Sequence, residues 1–317
     1  KADTTRLGNR LLSMDFGVCP TMFDYCLAMA LLYFKEQKCD VVILETGLGG
    51  TYDSTNACGV PDVTVIAKIG FDHMAILGDT LAKIAAEKAG IIKRGTALVL
   101  ESQEKEAMDV LNKAAERADI KTTKVVNLDE IRILPQKDGK QCFSYAGYDA
   151  VTMKMLGVHQ YENAVAAMLA AELFFEKYFA GKKSVPERKA LQHAIREGID
   201  RTQWMGRMEL VSNDPFFLMD GAHNSNGVEA LKKSLETMYP DEKFHFIMGV
   251  MADKDYGEMI RELLPLALDF KTVTVESERA LQGEALADCI RAKGIPAEAY
   301  RNLEDVLPDL STSSAAQ

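Results

Sequence analysis

The sequence predicts an α/β fold of two domains, a larger parallel-sheet domain followed by a smaller α/β unit. Three observations carry this prediction. From residue 23 onward, short apolar runs alternate with helical stretches, the pattern of strands joined by crossover helices. That alternation lapses between residues 130 and 158 and begins again near residue 200. The chain has 317 residues, enough for two ordinary cores, and it is 47% hydrophobic and 26% charged, a globular composition.

The elements follow in order. "FDYCLAMALLYFKEQ" (23–37) spreads apolar residues over a broad helical face. "CDVVILE" (39–45) is a β-branched and aliphatic run that predicts a buried strand ending on Glu45. "PDVTVIAKI" (61–69) predicts a second strand, "LAKIAAEKAGII" (81–92) a helix and "TALVLES" a third strand. "EKEAMDVLNKAAERA" predicts a helix and "TTKVV" the next strand. "KDGK" predicts a hairpin within the 130–158 stretch, and "YENAVAAMLAAELFFEKYF" (161–179) a long, mostly buried helix. In the second unit, "RMELVS", "FFLMD", "FHFIMGV" and "FKTVTVE" read as strands. Helices are expected in "GVEALKKSLETMY", over 257–266 and over 283–293. The domains are placed at 1–203 and 204–317, and the tail "STSSAAQ" reads as disordered.

Composition narrows the function. No apolar run approaches the roughly 20 residues that span a bilayer. The opening "KADTTRLGNRLLSMDFG" lacks the charged-then-apolar layout of a secretory signal. The six cysteines show neither a CxxC pair nor a zinc spacing, so reduced thiols in a cytoplasmic protein are expected, most of them filling the core. A net charge of −10 argues against nucleic acid as a partner but leaves room for a small anionic ligand. A monomer acting on small molecules is expected.

Five stretches carry candidate chemistry. Glu45 and His73 of "GFDHM" lie just past predicted strands, where open parallel sheets bind ligands, and together offer a divalent cation such as Mg2+ a carboxylate and an imidazole. The alternative is a loop-capping carboxylate and an ordinary loop histidine. In "GLGGTYDSTN" (47–56) consecutive N–H groups of a glycine loop can cradle anionic oxygen; the alternative is a plain turn. Lys88 of "AAEKAGIIK" sits among alanines and isoleucines, as a snorkelling surface lysine also would. "HQYENA" places Asn163, both donor and acceptor, at a helix entry, where a capping cluster is the other reading. Asp220 ends the run "FFLMD", His223 follows in "DGAHNSNG", and Arg207 of "WMGRME" offers a planar fork suited to phosphate.

Taken in order, "VVILETGLGG", "IGFDHMAILGDT", "IAAEKAGIIK", "HQYENA", "WMGRME", "LMDGAHNSNG" and "GVMADKDY" resemble the folylpolyglutamate synthase and dihydrofolate synthase family of the Mur ligase superfamily. The resemblance runs from about residue 20 to about residue 305. It implies a Mur-ligase-like central parallel-sheet ATPase domain and a smaller, Rossmann-like C-terminal domain. The implied activity is ATP-dependent ligation of L-glutamate to a dihydropteroate or folate carboxylate through an acyl phosphate, with ATP and Mg2+ required. Carried over by motif, Glu45 and His73 are the implied Mg2+ ligands, and Lys88 matches a lysine that carries a carbamate. Asn163, Arg207 and Asp220 match ATP-contacting positions, and His223 falls in the same motif with a catalytic assignment. Tyr52, Asp53 and Ser54 fall where the pterin substrate binds, although Thr51-Tyr52-Asp53 stands where the family usually carries Arg-Leu-Asp.

One departure is larger. The family's Walker A loop, of the form GTNGKGS, has no counterpart here; "AGKKS" (180–184) lacks the first glycine and follows no strand. The resemblance therefore implies a first domain that is incomplete at its N-terminus and a polypeptide with impaired turnover. Another Mur-type amino-acid ligase and a non-catalytic protein of the same fold are the rival readings.

Overall fold

The computed structural model describes residues 2–17, 19–182 and 185–306. The tail "STSSAAQ" and part of "AGKKS" lie outside them. The chain divides into two units, residues 1–125 with 173–178, and residues 126–172 with 179–317.

In the first unit, α1 (Ala2–Leu12) buries Leu7 and Leu11 and is tied to α2 (Met22–Gln37) by Arg6, whose Nη1 donates to Glu36 Oε1 at 3.1 Å. Helix α2 starts on a capping box in which Thr21 and Asp24 satisfy each other's backbone N–H groups. Then follow β1 (Val63–Ile66), α3 (Met74–Leu77), α4 (Leu81–Ala89), β2 (Ala97–Leu100), α5 (Lys105–Arg117) and β3 (Thr123–Val125). The three strands form a parallel sheet in the order β1-β2-β3. The middle strand reads Ala-Leu-Val-Leu and is buried at every position, as a central parallel strand requires. Ile66, Leu98 and Leu100 pack with Ile84 and Ala85 of α4 and Ala107 and Leu111 of α5.

Two expectations fail in this unit. Residues 41–46 form no strand; the run is exposed, with Ile43 at 91%. A strand exists only as part of a ladder, and the one ladder β1 makes is with β2. Apolar composition announced burial, but burial depends on a neighbour that composition does not name. The cysteines depart in the same region: Cys19, Cys26, Cys39 and Cys58 are exposed, and Cys142 alone is fully buried.

The second unit opens with an antiparallel meander of β4 (Arg132–Lys137), β5 (Lys140–Tyr145) and β6 (Tyr148–Met153). The predicted "KDGK" hairpin is present: Asp138 and Gly139 both take positive φ (53° and 72°), which a primed two-residue turn demands. Helix α6 (His159–Phe179) and α7 (Arg188–Arg201) follow. Asp200 of α7 accepts Lys140 Nζ at 2.7 Å and Thr152 Oγ1 at 2.6 Å, fastening that helix to the meander.

The remaining elements are β7 (Glu209–Asn213), β8 (Phe216–Met219), α8 (Ser225–Met238), β9 (Phe244–Met248), α9 (Tyr256–Leu263), β10 (Ala267–Val273), α10 (Gly283–Arg291) and β11 (Ala297–Tyr300). β7 and β8 form a hairpin, and a parallel sheet runs β11-β10-β9. Phe270 of β10 stacks on Phe246 with centroids 5.2 Å apart and packs with Met259, Ile260, Leu286 and Ile290. The sequence reading missed α1, α7 and β11. Helices α1 and α7 are mostly polar, and β11 is the short run "AEAY".

Candidate active site

Of the residues singled out in the first unit, Tyr52, Asp53 and Ser54 lie on the loop over 47–56. Asp53 organises it. Its Oδ2 accepts the N–H of Gly47 at 2.9 Å and of Leu48 at 3.0 Å, and its Oδ1 accepts that of Thr55 at 3.0 Å. Burial alone would raise this carboxyl's pKa, but the hydrogen bonds from Thr55, Leu48 and Gly47 prevail and hold it below the ordinary carboxylate range. The anion-cradling expectation is corrected accordingly: at Gly47 and Leu48 the cradled anion is the protein's own Asp53. Ser54 donates its hydroxyl to Asp24, linking the loop to the cap of α2, and Tyr52 stands 90% exposed at the tip.

This loop is docked on α4. The Thr51 N–H donates to Glu87 O at 2.9 Å, and the Asn56 amide donates to Thr51 O and Gly90 O at 3.0 and 3.1 Å. Two glycines permit the approach. A Cβ on Gly50 would stand 3.0 Å from Lys88 Cα, and one on Gly90 would stand 2.2 Å from Thr51 Oγ1. Lys88 is half-buried in the last turn of α4, directly beneath the loop.

Glu45 lies on the exposed stretch rather than at the end of a buried strand, which corrects the expected setting. His73 precedes α3 in the left-handed region (φ 50°), and its backbone N–H donates to Asp72 Oδ1 at 2.8 Å. Among the described residues no group of three or more His, Cys, Asp or Glu side chains converges as a metal cage. Mg2+ asks for none: it keeps several waters and is held through one or two protein groups together with substrate phosphates. The exposed Glu45 carboxylate suits that partial shell, while the His73 imidazole is the softer donor of the pair; a bound Mg2+ would supply charge neutralisation to phosphate oxygens.

In the second unit, Arg207, Asp220 and His223 share one knot of two loops. Asp220 Oδ2 accepts the N–H of Met208 at 2.8 Å, and Oδ1 that of Ala222 at 2.8 Å. The Gly221 N–H donates to Gly206 O at 2.7 Å. Arg207 is exposed, its guanidinium laid on Gly221 where a Cβ would meet Nη1 at 2.9 Å. His223 Nδ1 lies 3.0 Å from Gly221 O. Met208 is held at φ 43° between these loops, a conformation non-glycine residues seldom adopt without support.

Asn163 sits exposed one turn into α6, its Nδ2 donating to Gln160 Oε1 at 3.0 Å. Gln160 in turn contacts His159, on which Asp220 and Arg207 act electrostatically. The sequence reading chose Asn163 from this motif and passed over His159 and Gln160. The signal was available: residues 159, 160 and 163 share a helix face.

The parallel α/β scaffold that carries these two loop clusters is that of a Mur-type ligase, as the family profiles show. The Mur ligase middle domain matches residues 17–171, and the Mur ligase glutamate ligase domain matches residues 206–316. Within that class, the chain belongs to the folylpolyglutamate synthase and dihydrofolate synthase family. It is 36% identical over 278 residues to the dihydrofolate synthase/folylpolyglutamate synthase of Bacillus subtilis, covering 85% of this chain and 62% of that protein. It is 33% identical over 323 residues to the Mycobacterium tuberculosis protein of the same name, covering 95% of this chain and 63% of the relative. The chain thus spans about three fifths of the length of these relatives. A Mycobacterium tuberculosis folylpolyglutamate synthase solved with ADP superposes over 100% of this chain and 72% of its own, with a TM-score of 0.85 and 29% identity. The Thermotoga maritima folylpolyglutamate synthase superposes over 96% of this chain and 70% of its own, with a TM-score of 0.77 and 27% identity. No helix among the described residues is long and apolar enough to cross a membrane.

Proposed function

We propose that this chain forms the ligase body of an ATP- and Mg2+-dependent enzyme that joins L-glutamate to the carboxylate of dihydropteroate or a folate. The observation that carries the reading is the knot around Asp220: two loops tied so that Arg207 faces outward beside His223, in a chain whose relatives are named for this reaction. Its chemistry is consistent. A carboxylate is a poor electrophile until its oxygen is phosphorylated. Transfer of the γ-phosphoryl group releases ADP and gives an acyl phosphate; attack by the glutamate amine then forms the amide and releases phosphate. Charge develops on the phosphoryl oxygens in the first step; Arg207 offers a planar fork of the kind that suits such oxygens, and Glu45 and His73 are the residues that would hold Mg2+. Asn163 would meet the nucleobase, Tyr52 and Ser54 the pterin, with Asp53 shaping their loop. Lys88 would act as its carbamate beside the metal, and His223 next to the phosphates. A monomeric, cytoplasmic enzyme is part of the same reading.

The test is ADP release by the gene product that carries these residues. Release should require both L-glutamate and a pteroate-type acceptor, and the product should gain one glutamyl group by mass spectrometry. Release driven instead by a cell-wall precursor would make this a different Mur-type ligase, and no release with any acceptor would favour a non-catalytic role.

A further inference from the structure

Three side chains in the first turn of α6 form a hydrogen-bonded series. Asn163 Nδ2 donates to Gln160 Oε1 at 3.0 Å, and Gln160 Nε2 stands 3.0 Å from His159 Nε2. An amide nitrogen only donates. With the amides so placed His159 Nε2 accepts and the ring proton sits on Nδ1, which is buried and finds no hydrogen-bond partner among the described residues. The imidazole has room only because residue 157 is glycine: a Cβ there would stand 2.7 Å from His159 Cε1 and 3.1 Å from Nδ1. Burial is the largest influence on this ring and favours the neutral form; Arg207 adds to it and Asp220 opposes it. At the other end Asn163 is exposed, while Gln160 is only 7% accessible.

We infer that His159 and Gln160 are positioning residues that fix the polarity of the Asn163 amide and so select a 6-amino purine over a 6-oxo purine. With one Nδ2 proton committed to Gln160, Asn163 has Oδ1 and its second N–H left for a ligand, an acceptor beside a donor. An amino purine offers the complement, a donor at its exocyclic amine and an acceptor at N7. A 6-oxo purine would set its carbonyl oxygen against Oδ1. Were the relay absent, the amide would be free to turn and offer its NH2 to that carbonyl. This rests on the proposal that Asn163 meets the nucleobase, and extends it inward to two residues that touch no ligand.

The experiment measures ADP and GDP binding by competition to the intact protein and to four variants, with thermal melting as the folding control. The two nucleotides carry the same phosphates, so the ratio of their affinities isolates the base. The intact protein should prefer ADP by about tenfold or more. Gln160→Leu, which frees the amide, should bring the ratio close to that of Asn163→Ala. Gln160→Glu should keep the preference, because a carboxylate still accepts from Asn163 and His159 can move its proton to Nε2. His159→Phe removes only the far end of the relay and repeats the test if Gln160→Leu melts early; it too should lose the preference. Loss in Asn163→Ala with full retention in Gln160→Leu and His159→Phe overturns the relay and leaves the base contact standing. Retention in Asn163→Ala overturns the base contact and the relay with it.

Discussion

Gly50 lies against the backbone of Lys88: a Cβ built on Gly50 would come within 3.0 Å of Lys88 Cα and 2.6 Å of the Glu87 carbonyl oxygen. The glycine loop and the helix bearing the lysine are therefore one packed object, positioned by the absence of a side chain. Gly50→Ala should force them apart. Neither close atom belongs to a flexible side chain, so the cost should be about 1–3 kcal/mol, seen as a lower urea midpoint.

Asp53 holds its loop by accepting three backbone N–H groups. Its carboxyl is depressed in the folded protein, against an unfolded value of about 3.9. Its contribution is fully present above that value and fades as the pH falls through the lower folded pKa. Asp53→Ala should destabilise by about 2 kcal/mol at neutral pH and flatten the acid limb of the stability profile, measured by urea unfolding between pH 2 and pH 6, a window roughly bracketing that carboxyl. An unchanged acid limb would show that the loop is held by something else.

Glu45 and His73 are both exposed and contribute little to packing. Glu45→Gln and His73→Ala should therefore leave stability within about 0.5 kcal/mol while raising the Mg2+ concentration needed for half-maximal turnover. A Mg2+ titration identical to that of the parent protein would remove both from the metal site.

Lys88→Ala should lower turnover by about two orders of magnitude or more, the scale of losing one preorganised electrostatic group. Added short carboxylates should restore part of it, since the reading assigns an anion to that position. Native mass spectrometry of the parent protein should show the carboxyl adduct on the peptide containing Lys88. Full activity in Lys88→Ala would dismiss the carbamate.

The sequence was legible where local chemistry decides the outcome. Asp138-Gly139 announced a turn because few residues accept positive φ, and the all-apolar run over 97–100 announced a strand, which the structure places at the centre of the sheet with every position buried. It was misleading where the outcome depends on a neighbour. Val41–Leu44 is as apolar as β2, yet it pairs with nothing in the sheet and stays exposed. In the candidate site, motif spacing pointed to Arg207, Asp220 and Asn163. It could not show that Asp220 grips Met208 and Ala222 or that Asp53 fills its own anion nest, because those contacts exist only once the loops have folded.

The central claim is that a substrate carboxylate is activated as an acyl phosphate before glutamate attacks. The most direct test follows a heavy-oxygen label placed in the carboxylate of the pteroate-type acceptor, using the gene product that carries these residues with ATP, Mg2+ and L-glutamate. The account predicts that one labelled oxygen per turnover appears in the released inorganic phosphate. Label found in AMP, or phosphate that forms without any label while the amide accumulates, would contradict it.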